Sequence, residues 1–237
     1  MQPTIVLVHG AFAESASWDG VIEPLTSAGH PVIAAANPLR GLASDAAAIS
    51  DLVRTIDGPV VLAAHSYGGA VMTHVDPDAG EIIGLVYVAG FAPEPGESAF
   101  TLAGMFPGST LGDAVHPVPR SEGKTDLYID ADRFHSQFCA DVPADRAARM
   151  AATQRPATAE ALYEPSGERP LWREVPSWFV FGELDRNLPA ELERFMAKRA
   201  GARRTLEIPG ASHAVTVAHP EATAHLILEA ASLHVAA

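Results

Sequence analysis

The chain is poor in cysteine, in basic residues and in long apolar runs. Cys139 is its only cysteine, so no disulfide can form within it, and a cysteine-ligated metal cluster is not expected. Lysine and arginine number 16 against 29 aspartates and glutamates, a formal net charge of −13. Nucleic acids and anionic membrane surfaces need a basic face, so neither is an expected partner. No apolar stretch reaches the roughly 18–20 residues that a membrane span requires. The opening MQPTIVLVHG carries no basic stretch ahead of an apolar one and no small-residue cleavage site. A signal peptide is therefore not expected, and a soluble, cytoplasmic protein is. No repeat or low-complexity tract breaks the sequence.

What is present suffices for a large core. Hydrophobic residues make up 48% of the 237 residues and charged ones 19%, ordinary proportions for a chain that folds as one sizeable domain. Thr4–Val8 (TIVLV) is a continuous apolar run, as in a strand buried on both faces. Pro31–Ala36 follows Gly29, a plausible helix stop, and reads as a second strand. Ser44 is the expected cap of a helix with Ile49, Leu52, Val53 and Ile56 on one face, ended by Asp57-Gly58-Pro59. Val60–Ala64 is a third strand, Gly69–His74 a short helix, and Ile82–Ala89 a fourth strand. The rhythm resumes with strand Trp178–Phe181, helix Pro189–Ala200, strand Thr205–Ile208 and a last helix over 220–233 with Ala222, Leu226, Ile227 and Ala230 on its inner face. Strands alternating with helices predict a parallel sheet with crossover helices on both faces.

Between residues 92 and 173 the rhythm fails. Nine prolines and a few helix-like pieces such as Pro143–Thr153 fill the stretch. An insertion of this length between buried strands predicts a cap, mainly helical, over one end of the sheet. Its apolar residues are too scattered for a private core, so residues 1–91 and 174–237 are read as the core and 92–173 as a cap within one domain.

Ligands of an open parallel sheet bind beyond the carboxyl ends of the strands. The residues there are His9-Gly10-Ala11-Phe12, then His65-Ser66-Tyr67-Gly68-Gly69, then Gly182-Glu183-Leu184-Asp185, then Pro209-Gly210-Ala211-Ser212-His213. A serine, an acid and a histidine thus emerge at one edge, in that order.

That order and setting resemble the α/β-hydrolase fold over nearly the whole chain. The nucleophile turn of the family is matched by Ala64-His65-Ser66-Tyr67-Gly68, with alanine where glycine is commoner; both are small enough for the strained turn. The resemblance implies that Ser66 is the nucleophile, His213 the general base and Asp185 the acid that orients it. It implies an oxyanion hole made by the backbone N–H groups of Tyr67 and Ala11, and no metal or cofactor. Glu183 is an alternative acid, but Gly182-x-x-Asp185 with Pro189 beginning the next helix matches the family's arrangement better.

Within the superfamily, HGAF with the following Trp18, AGHPVIA and GASHAVTVAHPE are similar to the small cap-bearing esterases that include plant methylesterases and hydroxynitrile lyases. The lyase members carry threonine where this chain has Gly10, and a cyanide-holding lysine where it has Ala214. The likeness therefore implies an esterase, and the cap's apolar residues would form a mostly hydrophobic pocket that suits small or medium, largely apolar esters, thioesters or lactones. The same triad serving a lyase, a perhydrolase or a biosynthetic step is the alternative, and a non-catalytic binding protein a more distant one.

Other residues have plainer readings. His9 and His65 are expected to be buried histidines bonded to nearby backbone, and Cys139 a small buried hydrophobe. His213, His219 and His225 fall on a loop, a helix start and a helix interior with no carboxylate at ligand spacing, so no metal site is expected. Phe12 and, in the cap, Tyr128, Phe134, His135, Phe138 and Trp172 are the candidate walls of the substrate pocket.

Overall fold

The computed structural model describes residues 1–232. The main sheet holds β1 (Thr4–Val8), β2 (Val32–Ala35), β3 (Pro59–Ser66) and β4 (Glu81–Gly90). Between them and the last two strands lie β5 (Val115–Pro119), β6 (Thr125–Ile129) and β7 (Ala157–Thr158). β8 (Ser177–Gly182) and β9 (Arg204–Ile208) complete the main sheet, whose six strands run in the order β2-β1-β3-β4-β8-β9. Every pairing within it is parallel. β1 and β3 are buried at every residue, which is why they read as unbroken apolar runs rather than alternating ones.

Topology decides where the site can be. From β1 the chain steps one way to β2, then crosses back past β1 to β3 and on to β4. Right-handed crossovers therefore place the first helix, Asp19–Ser27, on one face and Leu42–Val53 and Tyr67–Thr73 on the other. The first of these packs against the last helix, Pro220–Ser232, and the other two pack on each other. The connections diverge between β1 and β3, opening a crevice at their carboxyl ends. There Val8 pairs with Ala64, so the His9–Phe12 loop and Ser66 leave the sheet side by side.

Three local features differ from expectation. Ser44 does not cap its helix: Leu42–Val53 starts after Gly41, and the Ser44 hydroxyl donates to the Gly41 carbonyl at 3.0 Å. The exposed N–H groups are taken instead by Glu164, distant in sequence, whose carboxylate accepts from Leu42 at 2.6 Å and from Ala43 at 3.3 Å. A carboxylate suits that position because it opposes the helix dipole. Along the last helix, Thr223 and Ala224 are buried where Ala222 is only half-buried, and the expected final residue, Leu233, lies outside the described residues.

The third difference concerns the segment over the strand ends. It holds the expected helix, at Ala144–Thr153, and further helices at Ala99–Ala103, Ala131–Phe138 and Ala159–Tyr163. It also holds an antiparallel sheet, β5-β6-β7. The two prolines of β5 (VHPVP) hid it, since proline is tolerated only at edges. Phe134, Phe138, Leu102 and Ile129 of this segment belong to the same hydrophobic cluster as the main sheet.

Candidate active site

β3 passes into the helix Tyr67–Thr73 with no connecting residue, and the whole reversal falls on Ser66, at φ 54° and ψ −126°. A non-glycine residue there costs on the order of 1–3 kcal/mol and persists only where its surroundings hold it. The hold is close packing. A side chain at Gly68 would place its Cβ 2.7 Å from the Val8 carbonyl oxygen, so only glycine lets the helix press onto the end of β1. The outcome is a serine side chain presented to the crevice, at the wall of a cavity.

The acid and the histidine come from the next pair of strand ends. β8 and β9 pair through Gly182 and Ile208, which sets the loop after β8 beside the loop after β9. His213 Nδ1 donates to Asp185 Oδ2 at 2.6 Å, with both side chains fully buried. The other oxygen, Oδ1, accepts the backbone N–H groups of Asn187 at 2.7 Å and Leu188 at 2.9 Å. The carboxylate thus has charge-assisted bonds on both oxygens, which fix its plane and that of the imidazole. His213 Nε2 is buried and, among the described residues, has no hydrogen-bond partner. Glu183 lies outside this arrangement: it is exposed and accepts from the Gly210 amide at 2.9 Å.

The close approach of the two loops depends on Gly182. A Cβ there would lie 2.3 Å from the Ala211 carbonyl oxygen and 2.4 Å from that of Ser212. Gly182→Ala is therefore expected to cost about 1–3 kcal/mol of stability, because backbone rather than a flexible side chain must yield. Urea unfolding of the two proteins measures it, and an unchanged midpoint would count against this packing.

The two flanking histidines act on backbone. His65 Nε2 donates to the His213 carbonyl at 3.0 Å, and the rings lie 4.6 Å apart. Burial, with His213 close by, holds His65 well below the usual histidine range, so it donates as a neutral ring. His9 is likewise neutral, pushed down to about 4 mainly by burial. Its Nε2 accepts from the Asn37 amide at 3.1 Å, leaving Nδ1–H to donate to the Gly10 carbonyl at 2.9 Å. That bond, with Asn37 Nδ2 on the His9 carbonyl at 2.9 Å, shapes the loop carrying Ala11.

Tyr67 turns its ring away from the site, its hydroxyl donating to Asp45 Oδ2 at 2.9 Å. The Tyr67 N–H opens a helix and so has no intrahelical acceptor. Ala11 and Tyr67 both line the cavity beside Ser66.

No local sequence signal marks Glu193. It is fully buried on the helix Ala190–Arg199, with neither carboxylate oxygen hydrogen-bonded among the described residues. Burial first, and the Asp185 charge second, push it well above the usual carboxylate range, so it is held as a neutral acid. In the unfolded chain it ionises above about pH 4.5. Folding must then take up a proton, and the stability loss grows as pH rises from there towards the folded value. Glu193→Gln is expected to raise the melting temperature at pH 8 by about 2–4 °C for each kcal/mol relieved. The gain should shrink to nothing near pH 4, and a gain independent of pH would contradict the assignment.

The cavity above Ser66 has a volume of about 590 Å³. Its wall includes Phe91, Phe100, Phe106, Leu127, Leu162 and Leu188, and among the described residues no charged side chain lines it. Of the expected pocket walls, Phe12 is there, but Tyr128, Phe134, His135, Phe138 and Trp172 are not. Strand alternation turns Leu127 to the cavity and Tyr128 to the other face, where it stacks on His116. Phe134 stacks on Phe138, and Phe138 sets its edge on His213 with centroids 4.9 Å apart. His135 bonds the Val142 carbonyl at 2.9 Å, and Trp172 donates to the Pro93 carbonyl at 3.0 Å. The helix Ala99–Ala103, with Phe100 and Ala103 on the wall, could have been found from its apolar spacing. Cys139 is buried, and burial raises its thiol to about 12. Among the described residues no cluster of histidine, cysteine or acidic side chains could hold a metal ion, and no helix is long and apolar enough to cross a membrane.

Comparison with known proteins gives a consistent likeness. The profile described as "Alpha/beta hydrolase family" matches residues 5–226. A pyrethroid hydrolase of Sphingobium wenxiniae is 24% identical over 244 residues, covering 95% of this chain and 86% of that protein. The crystal structure of polyneuridine aldehyde esterase superposes with a TM-score of 0.82 at 19% identity, over 97% of this chain and 99% of that one. A methylesterase from Arabidopsis superposes with a TM-score of 0.78 at 15% identity, over 98% of this chain and 99% of that one.

Proposed function

This chain belongs to the alpha/beta hydrolase family, and from that premise we propose that it is a carboxylic-ester hydrolase working through an acyl-enzyme on Ser66. The observation that carries the proposal is the buried His213–Asp185 pair at 2.6 Å, at the same sheet edge as a strained serine that opens onto an apolar cavity. His213 Nε2 takes the hydroxyl proton as Ser66 Oγ bonds to the ester carbonyl carbon. Asp185 keeps the proton of His213 on Nδ1, so that Nε2 can accept, and stabilises the imidazolium that results.

The backbone N–H groups of Tyr67 and Ala11 would hold the oxyanion. One such donor is typically worth 10²–10³ in turnover. Collapse of the tetrahedral adduct expels the alcohol, which takes the proton from His213. Water, deprotonated by the same Nε2, then attacks the acyl-serine and frees the acid and Ser66. Every atom moved belongs to substrate, water, Ser66 or His213, so the scheme calls for no cofactor.

The cavity points to uncharged substrates with apolar acyl or alcohol groups. Without a charged side chain on the wall, an ionised substrate would be desolvated with no partner, a cost of several kcal/mol. The excess of acidic residues repels anions as well. The likeness to a protein named as a pyrethroid hydrolase supports hydrolysis as the reaction.

A cyanide-releasing lyase is less well supported. A side chain at Gly10 would place its Cβ 2.6 Å from Ser66 Cβ, so threonine does not fit this backbone. Ala214 supplies no ammonium group to hold a cyanide.

The test combines a serine-directed fluorophosphonate with p-nitrophenyl esters from acetate to octanoate. The expected outcome is stoichiometric label on Ser66 and turnover favouring acyl chains longer than acetate. A chain that takes no label and cleaves none of the esters would overturn the proposal, and cleavage of mandelonitrile would move it to the lyase reading.

A further inference from the structure

One carboxylate of the cap reaches into the catalytic loop from outside the triad. Asp141 lies between the helices Ala131–Phe138 and Ala144–Thr153. Its Oδ1 accepts the hydroxyl of Ser212 in a short hydrogen bond, and its Oδ2 accepts the Ser212 amide N–H at 3.2 Å. Oδ2 also pairs with His219 Nε2 at 3.1 Å, at a half-buried position. Ser212 is buried and immediately precedes His213. With its own proton given to Asp141, the Ser212 oxygen accepts the Ala214 N–H at 3.4 Å. A chain of bonds from the cap carboxylate thus brackets His213 on both sides, while Phe138, three residues before Asp141, sets its ring edge against the imidazole.

We propose that Asp141 is a positioning residue, which through Ser212 fixes the loop that presents His213 to Ser66. The inference rests on the reading of Ser66, His213 and Asp185 as the catalytic groups. Asp185 orients the imidazole through its ring nitrogen, and His65 holds its carbonyl from the sheet side. Neither bond reaches residues 212 or 214. Asp141 supplies that hold, and it does so from the segment that also forms the substrate cavity. A misplacement of about 1 Å in a catalytic group can cost 10²-fold in rate. Asp141 does not line the cavity, so its loss should be felt in the chemical step rather than in binding.

The test uses Asp141→Ala, Ser212→Ala and the double variant on a p-nitrophenyl ester, with melting curves to verify folding. Each single change is expected to lower kcat by about 10–100-fold with KM within twofold. The double variant should lose no more than the worse single one, since both remove one shared interaction. Asp141→Asn keeps an acceptor for the Ser212 hydroxyl and should recover part of the rate. In proton NMR the downfield His213 Nδ1–H resonance should broaden in Asp141→Ala.

Wild-type kcat in Asp141→Ala, or losses that multiply in the double variant with the resonance intact, would overturn the proposal. A wild-type chain that neither labels nor turns over would sink the hydrolase reading. The NMR arm would still report whether Asp141 holds the imidazole.

Discussion

Ser66→Ala is expected to lower turnover of a reactive ester by about 10⁴–10⁶-fold and to abolish labelling by the fluorophosphonate. The size follows from what the substitution removes and what it leaves. The nucleophile is gone, so no acyl-enzyme can form, and His213 loses the only proton it has to take in the first step. The cavity and the backbone N–H groups of Tyr67 and Ala11 remain, so a small residual acceleration over water is expected. The fold should be untouched. Alanine keeps the Cβ, the backbone at φ 54° carries the same strain as before, and the lost oxygen faced the cavity. Steady-state kinetics on purified protein, with a melting curve alongside, separates the two effects. Residual turnover within tenfold of the wild type would place the nucleophile elsewhere.

The second large effect concerns the acid. Asp185→Asn keeps the shape of the site and reverses one hydrogen bond. If the asparagine turns its NH₂ towards His213, Nδ1 must become an acceptor and the ring proton moves to Nε2. That is the wrong tautomer for taking a proton from Ser66. A loss of about 10⁴ in kcat is expected, of the size known for this tautomer reversal in serine proteases. The backbone donors make the preference definite. Asn187 and Leu188 N–H both point at Oδ1, so the carbonyl oxygen of an asparagine is drawn to them and its NH₂ is left facing His213. Glu183→Gln is the control. Glu183 is exposed and holds only the Gly210 amide, so its loss should change kcat by no more than about twofold, as for most surface substitutions. A large loss in Glu183→Gln with a small one in Asp185→Asn would exchange the two acids.

Much of the main sheet could be read from one-dimensional pattern. All six of its strands were visible within about two residues, and those buried on both faces, such as β1 and β3, are short apolar runs between turn residues. The cap was less legible. β6 places Leu127 on the cavity wall and Tyr128 away from it, and only the strand's register, set by its pairing with β5, tells which is which. Aromatic character alone favoured Tyr128. Five of the six expected pocket residues, all with aromatic rings, pack elsewhere, while Phe91, Leu188 and the helix Ala99–Ala103 contribute to the wall.

By itself the sequence determined that a serine, an acid and a histidine follow successive strand ends, in that order. Small residues beside Ser66, a histidine after the last strand and an acid after the one before are local requirements. Each is written in a few consecutive residues, because a strained turn or a strand end constrains its own neighbours. The tertiary structure decided everything that needs two distant segments to meet. It brought Asp185 to 2.6 Å from His213, buried Glu193 with no hydrogen-bond partner among the described residues, seated Glu164 on a helix start 122 residues away and joined Asp141 of the cap to Ser212. These pairings carry no local signature. They depend on how the helices pack on the twisted sheet, and a polar side chain looks the same in sequence whether it ends in water or against the loop that carries His213.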